Sequence, residues 1–291
     1  MGEEEKEEKT KQEKQWRQLS ELSLIDNYLF GLFIQHVKNE DIIKGIVERM
    51  LDIKISHIHI KQQQHEILNA PRFHGVKLDA FLEDNEKTIY NIEIQISNTG
   101  NIPKRMRYYQ SMIDKEQMPS GSTDYNILPK TIIIFVNDFD LFDKGFYRYT
   151  FKNICLEDTS LSLNDESIKV VLNTKGTVQN EVKQELVDLL KYFRNSTKET
   201  ADKVSSKFIK QLDELLDPIK NNPKFGGEYM SFLEYIDESN RAHEEKGLQR
   251  GIEIGEKKGI EIGEKKATNK IIEQMRKSGM PEEQIRSILQ I

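Results

Sequence analysis

Hydrophobic and polar residues alternate along two neighbouring stretches of the chain. The apolar members of the first stretch are Val76, Leu78, Ala80 and Leu82, and those of the second are Tyr90, Ile92, Ile94 and Ile96. This period of two is typical of β-strands, because successive side chains of a strand point to opposite faces. The turn-forming cluster Asp84-Asn85-Glu86-Lys87 separates the two stretches. The pattern predicts a β-hairpin.

Helical spacing of apolar residues dominates the regions around this hairpin. It extends over residues 22–37 and again over 42–51, and Asn39 is a candidate N-cap for the second of these helices. A further helix is predicted after the hairpin, because Pro103 stands at a favoured first-turn position for a helix that ends near Lys115. Helical spacing returns from about Val178 to Glu244, with a break predicted between Pro223 and Gly227. We expect a helical layer attached to an α/β core.

A third strand is predicted from Lys130 to Asn137. Its centre is a continuous apolar run, which indicates a strand that is buried on both faces of its sheet. Further strands are expected near residues 147–156 and 168–173. We divide the chain into a charged, disordered or frayed N-terminus (1–18), a core (19–176), a helical layer (177–244) and a tail (245–291).

The tail contains the eight-residue sequence Gly-Ile-Glu-Ile-Gly-Glu-Lys-Lys twice, at 251–258 and 259–266. Glycine inside a helix costs about 0.8–1 kcal/mol relative to alanine. Close packing against another helix would justify glycines at every fourth position and favours a homo-oligomer. Short strands and a flexible charged linker are the alternatives. A Gly279-Met280-Pro281 break then divides the last helical region into a small helix-turn-helix unit.

Composition limits the class of protein. Charged residues make up 32% of the chain and hydrophobic residues 36%, and no apolar run approaches the ~20 residues of a membrane-spanning helix, so no membrane partner is expected. The single cysteine, Cys155, fits a reducing compartment, and we expect a cytoplasmic protein. The net charge of −6 argues against wholesale coating of nucleic acid but leaves room for a local basic face.

The hairpin also carries the candidate chemistry. Strand parity places Glu93 and Gln95 on one face, and a three-residue loop at 85–87 would set Asp79 directly opposite Glu93, whereas a two-residue loop would not. Opposed carboxylates repel each other, and a divalent cation would remove that penalty. Mg²⁺ accepts such oxygen ligands, including the carbonyl of Ile94. The alternative is that Asp79 and Glu93 simply face solvent.

The stretch from Leu78 to Phe142 resembles the PD-(D/E)XK nuclease family transposases, which are also called Rpn recombination-promoting nucleases. The residues that carry this resemblance are Leu78-Asp79, Ile92-Glu93-Ile94-Gln95, Arg105, Tyr108-Tyr109, Gly121 ahead of Tyr125, and the segment from Pro129 to Phe135. Upstream, Asp26 to Phe30 resembles the family's Asp-x-x-Phe element, and the Gly-rich tail resembles its C-terminal extension. Only the central block is specific.

The resemblance implies an α/β fold, namely a PD-(D/E)XK core with a mixed central sheet flanked by helices and a helical C-terminal extension. It implies a metal-dependent DNA endonuclease associated with recombination or mobile elements. Asp79 and Glu93 would bind the divalent metal, Mg²⁺ first, with Mn²⁺ or Ca²⁺ as alternatives. Gln95 replaces the lysine that is usual in the wider superfamily, which leaves metal ligation intact but removes a positive charge.

Two further residues of the resemblance have competing interpretations. Arg105 would contact a phosphate of the DNA, or else form a surface ion pair. Asp26 would cap the first helix, or else add a third acidic group to the catalytic site. The competing function for the whole chain is a non-catalytic oligomeric DNA-binding or regulatory protein that retains a degenerate nuclease fold, as Gln95 and the acidic balance would allow.

Overall fold

A computed structural model describes residues 18–67 and 76–289 of the chain. Its centre is a six-stranded sheet with the strand order β1-β2-β3-β4-β6-β5. The strands are β1 (Ile58–Ile67), β2 (Val76–Asp84), β3 (Ile89–Gln95), β4 (Thr131–Asn137), β5 (Arg148–Phe151) and β6 (Ser167–Asn173). Strands β3, β4 and β6 run parallel to one another, while β1, β2 and β5 pair antiparallel with their neighbours. The sheet is therefore mixed.

Eight α-helices lie in the described part of the chain. They are α1 (Asn27–His36), α2 (Glu40–Leu51), α3 (Ile102–Gln117), α4 (Gln184–Arg194), α5 (Lys198–Lys203), α6 (Lys207–Lys220), α7 (Pro223–Lys277) and α8 (Glu282–Leu289). Capping residues fix several of the starts: Asp26 caps α1 and Asn39 caps α2 through side-chain oxygens that accept backbone N–H bonds. Pro103 lies in the first turn of α3, as its position in the sequence predicts.

The hairpin between β2 and β3 has the three-residue loop that the site requires. Asp84 and Thr88 close the loop, and Oδ1 of Asp84 accepts hydrogen bonds from the backbone N–H groups of Glu86 and Thr88, both at 2.9 Å. Lys87 adopts a left-handed conformation with φ of 65°. The hydroxyl of Tyr90 donates to Oδ2 of Asp84 at 2.7 Å. These bonds lock the register of the two strands.

The central strands of the sheet are buried on both faces. On one face, apolar side chains of the strands pack with those of α3; this cluster contains Phe81, Ile89, Ile102, Met106, Met112, Ile113, Ile133, Phe135, Tyr149 and Val171. On the other face, Ala80, Ile92 and Ile134 have no solvent exposure. Helix α1 contacts β1, β2 and β3. The central strands β3 and β4 are thus covered on both sides, as the continuous apolar run of β4 predicts.

The predicted fold class is confirmed: a mixed sheet is flanked by helices and followed by a helical extension. Two local expectations differ from the structure. The predicted break at 223–227 lies slightly earlier, at residues 221 and 222 between α6 and α7, and Gly226 and Gly227 lie inside α7. The same helix passes through residue 245, where the sequence suggested the start of the tail. The prediction for residues 1–18 lies outside the described residues, apart from Gln18.

The chain divides into two compact units, residues 1–229 and 230–291. In the second unit the glycine repeat is helical, so the strand and linker alternatives are wrong. Helix α7 ends at Lys277, and α8 begins at Glu282 after the predicted break. Among the residues that the structure describes, no helix is both long enough and apolar enough to span a membrane.

Candidate active site

Asp79 and Glu93 lie on neighbouring strands at the end of the hairpin that is remote from its loop. The ladder between β2 and β3 includes the pair Ala80–Ile92, and one step further in the same register sets Asp79 opposite Glu93. Side-chain oxygens join the strands at this step. Oε1 of Glu93 accepts from the backbone N–H of Asp79 at 3.3 Å, and Oδ2 of Asp79 accepts from the N–H of Ile94 at 3.1 Å. The register that the loop length predicts is present.

Glu93 is buried, with only 3% of its surface exposed. The solvent-facing alternative is therefore wrong for this residue, because α3 covers the sheet face on which Glu93 lies. Burial, and then the negative charge of Asp79, raise the pKa of Glu93 well above its usual value. Hydrogen bonds from Asn91 and Asp79 and the nearby charge of Arg105 act in the opposite direction. A perturbed carboxyl of this kind is typical of functional sites.

Asn91 holds the Glu93 carboxylate from the same strand. It has no solvent exposure, and its Nδ2 donates to Oε1 of Glu93 at 3.1 Å. Its Oδ1 is buried and has no hydrogen-bond partner among the described residues. Strand parity places Asn91 and Glu93 on one face, but the sequence offered no further signal for a role of Asn91. Strand parity does not show that both side chains are buried, so the hydrogen bond between them is visible only in the structure.

Gln95 and Arg105 interact directly beside the carboxylates. Nη1 of Arg105 donates to Oε1 of Gln95 at 2.7 Å, and Nη2 of Arg105 donates to the hydroxyl of Tyr109 at 3.2 Å. Nη2 also lies 3.9 Å from Oε2 of Glu93. The Gln95 amide in turn donates to the carbonyl of Ser97 at 2.6 Å. The guanidinium therefore belongs to the carboxylate cluster, and its side chain is 29% exposed.

Asp26 stands at the start of α1. Its Oδ1 accepts from the backbone N–H groups of Tyr28 at 2.9 Å and Leu29 at 3.4 Å, which is the capping role that the sequence favours. Helix α1 contacts β2 and β3, the strands that carry Asp79 and Glu93. A catalytic role for Asp26 stays a prediction. The structure brings together Asp79, Glu93, Gln95 and Arg105.

The residues at this site suit a hard divalent cation. Among the described residues no group of three or more His, Cys, Asp or Glu side chains forms a metal centre. Mg²⁺, however, is usually bound through one or two carboxylates, with water and substrate phosphate as the other ligands. Asp79 and Glu93 supply the carboxylates, and Oδ1 of Asn91, which has no hydrogen-bond partner among the described residues, is a further oxygen that could bind the ion. A cation would also offset the repulsion that raises the pKa of Glu93.

The mixed sheet, the acidic pair on adjacent strands and the arginine on the following helix define an α/β core of the nuclease type. Residues 24–245 match the family described as PD-(D/E)XK nuclease family transposase. Because the match spans most of the 291 residues, the chain belongs to this family, and the resemblance seen in the sequence is confirmed. Comparison with curated proteins gives no match, and comparison with solved structures gives none.

Proposed function

We propose that this protein is a metal-dependent DNA endonuclease that hydrolyses phosphodiester bonds and acts in recombination or on mobile elements. One observation carries the proposal: a buried Glu93 with a raised pKa lies across the strand pair from Asp79, beside an arginine. A purely structural pair of this kind would be unfavourable, since two like charges in register destabilise a hairpin. Family membership supports a nuclease role.

Each residue has a defined task in this proposal. Asp79 and Glu93 hold the divalent ion, with Mg²⁺ as the first choice and Mn²⁺ or Ca²⁺ as alternatives. When bound, such an ion activates water and stabilises the charge that develops on the phosphodiester. Arg105 is partly exposed and binds an oxygen of the scissile phosphate, for which its planar fork of donors is suited. Gln95 orients Arg105 and the attacking water, but its amide has no basic group that would accept a proton.

Plasmid nicking tests the proposal. Supercoiled DNA is incubated with Mg²⁺, Mn²⁺ or Ca²⁺ and the wild type, Asp79→Asn or Glu93→Gln, and both variants should lose roughly 100-fold or more of the activity. Glu83→Gln is the matched control, because Glu83 lies on the same strand and face as Asp79 but near the hairpin loop, where it pairs with Lys87. Equal nicking by all four proteins would leave the non-catalytic DNA-binding or regulatory alternative.

We also propose that the tail assembles the protein into a homo-oligomer. Gly247, Gly251, Gly255, Gly259 and Gly263 recur at every fourth position of α7. A Cβ added at any of them meets no described atom within 4 Å. Ile252, Ile254, Ile260 and Ile262 are each more than half exposed. Since the surface repeats every eight residues, a second copy of the same helix is a natural partner for close backbone packing.

A further inference from the structure

Three charged side chains meet at the edge of the sheet where the parallel strands end. Asp138 follows β4, Lys175 follows β6 by two residues, and Arg194 is the last residue of α4. Nζ of Lys175 lies 3.0 Å from Oδ2 of Asp138, and Nε of Arg194 lies 3.6 Å from its Oδ1. The Thr174 hydroxyl donates to the same Oδ1 at 2.8 Å. One carboxylate thus holds two cations, which leaves a positive charge.

This charged cluster is joined to the candidate active site through the backbone. The N–H of Asp138 donates to the carbonyl of Gln95 at 3.0 Å, and the N–H of Thr174 donates to the carbonyl of Asn137 at 3.0 Å. Gln95, Asn137 and Asn173 lie in register on three adjacent strands. At ~4.8 Å between strands, the end of β6 is about 10 Å from the end of β3. The cluster therefore shares one sheet edge with Gln95.

Lys175 and Arg194 have the properties of phosphate ligands. Their side chains are 42% and 52% exposed, so a ligand can reach both. Arginine offers a planar fork that matches phosphate oxygens, and lysine offers a compact charge. The net charge of the whole chain is −6, so an excess of positive charge at this edge is a local feature. Asp138 and Thr174 keep the two cations in place before any ligand binds.

We propose that Lys175 and Arg194 bind backbone phosphates of the DNA beside the scissile bond, in exchange for their ion pairs with Asp138. This inference rests on the proposed nuclease function and extends it to a second contact with the same substrate. In this arrangement Arg105 contacts the scissile phosphate, and Lys175 and Arg194 contact other phosphates of the same DNA.

Salt-dependent binding tests the inference without cleavage. Fluorescence anisotropy of a labelled DNA duplex is recorded in EDTA from about 50 to about 200 mM KCl. The double variant Lys175→Gln/Arg194→Gln should bind at least about ten-fold more weakly at the low-salt end, and the slope of log affinity against log salt should flatten by about two. Asp138→Asn keeps an acceptor for Thr174 but frees both cations, so it should bind DNA more tightly than the wild type.

The controls separate this inference from the proposed function. Lys87→Gln/Lys203→Gln removes the same charge from residues that pair with Glu83 and Glu199, and its slope should match the wild type. Lys175→Arg/Arg194→Lys keeps the charge and should keep the slope. If the wild type nicks plasmid while Lys175→Gln/Arg194→Gln binds with the wild-type slope, only this inference is overturned. A wild type that neither binds nor nicks DNA would overturn both.

Discussion

Arg105 donates a 2.7 Å hydrogen bond to Gln95, so a guanidinium on α3 stands beside the position where the wider superfamily carries a lysine on the strand. The contact crosses from β3 to α3 and places the positive charge 3.9 Å from the Glu93 carboxylate. The charge that Gln95 lacks is thus present in the site but comes from another element. We expect Arg105 to take over the electrostatic task of that lysine.

Exchange of the two residues tests this expectation. Arg105→Gln should lower single-turnover cleavage roughly 100-fold, since it removes a charge aimed at the phosphate. The double variant Gln95→Lys/Arg105→Gln should recover about ten-fold of that loss, because it returns a cation to the same place. Gln95→Lys alone should be less stable than the wild type, because it places the ammonium group of the new lysine next to the guanidinium of Arg105. If the double variant is no faster than Arg105→Gln, Arg105 does not replace the lysine.

Asn91 should control metal affinity without binding DNA. Asn91→Leu removes the donor that orients Glu93, and loss of such a supporting contact typically costs about 10–100-fold in metal affinity. Titration calorimetry with Mn²⁺ measures the effect. Tyr192→Phe is the control, since it removes a partly buried 2.7 Å hydrogen bond to Asp213 and lowers stability without touching the site. Equal metal affinity for Asn91→Leu and the wild type would contradict the prediction.

The raised pKa of Glu93 makes stability fall as the pH rises. The folded protein retains the proton where the unfolded chain, with a pKa of about 4.3, has lost it. This stabilisation is complete below the unfolded pKa and is lost as the pH rises through the folded pKa. In EDTA, Glu93→Gln should therefore melt higher than the wild type at about pH 8, by about 2–4 °C for each kcal/mol. The melting temperatures of the two proteins should converge at about pH 4, where both side chains are neutral.

Calorimetric melting curves over this pH range check the sign of that effect. Adding Mg²⁺ at about pH 8 should stabilise the wild type more than Glu93→Gln, because a ligand that binds only the folded state raises its stability. Parallel curves for the two proteins, with and without the ion, would show that Glu93 keeps an ordinary pKa and binds no metal.

The glycine repeat predicts opposite outcomes for a monomer and an oligomer. In an isolated helix, Gly251→Ala, Gly255→Ala, Gly259→Ala and Gly263→Ala should each stabilise α7 by about 0.8–1 kcal/mol. If the glycines pack against a second copy, the combined variant should dissociate, as sedimentation velocity would show. Lys257→Ala/Glu264→Ala is the control, because 3.6 residues per turn place both on the opposite side of the helix. A wild-type monomer would rule out tail assembly.

Much of the hairpin followed from the sequence. Period-two alternation located β2 and β3 and left two loop lengths open, and the structure has the three-residue loop that sets Asp79 opposite Glu93. The continuous apolar run identified β4 as a buried strand. These features are local, because a strand's side chains alternate by geometry and a short loop permits few registers. The resemblance then directed attention to Asp79 and Glu93.

Other properties depended on packing between distant parts of the chain. Alternation shows that Glu93 and Gln95 share a face but not that α3 covers it, so burial of Glu93 and its raised pKa required the tertiary structure. The glycine repeat was compatible with a helix, with strands or with a linker, because glycine has a low propensity for both helices and strands. In the structure the repeat is helical. Lys175 and Arg194 meet Asp138 only because β4, β6 and α4 converge.

By itself, the sequence determined the alternation and the chemical identity of the acidic pair, and it left two loop lengths, and so two registers, for the hairpin. The tertiary structure alone decided that Glu93 is desolvated, that Asn91 supports it and that Arg105 bonds Gln95. The physical reason is that periodicity records which side chains share a surface, whereas pKa shifts and ion pairs depend on what covers that surface. That cover comes from α3, which follows the hairpin in the chain and packs on the sheet face that carries Glu93.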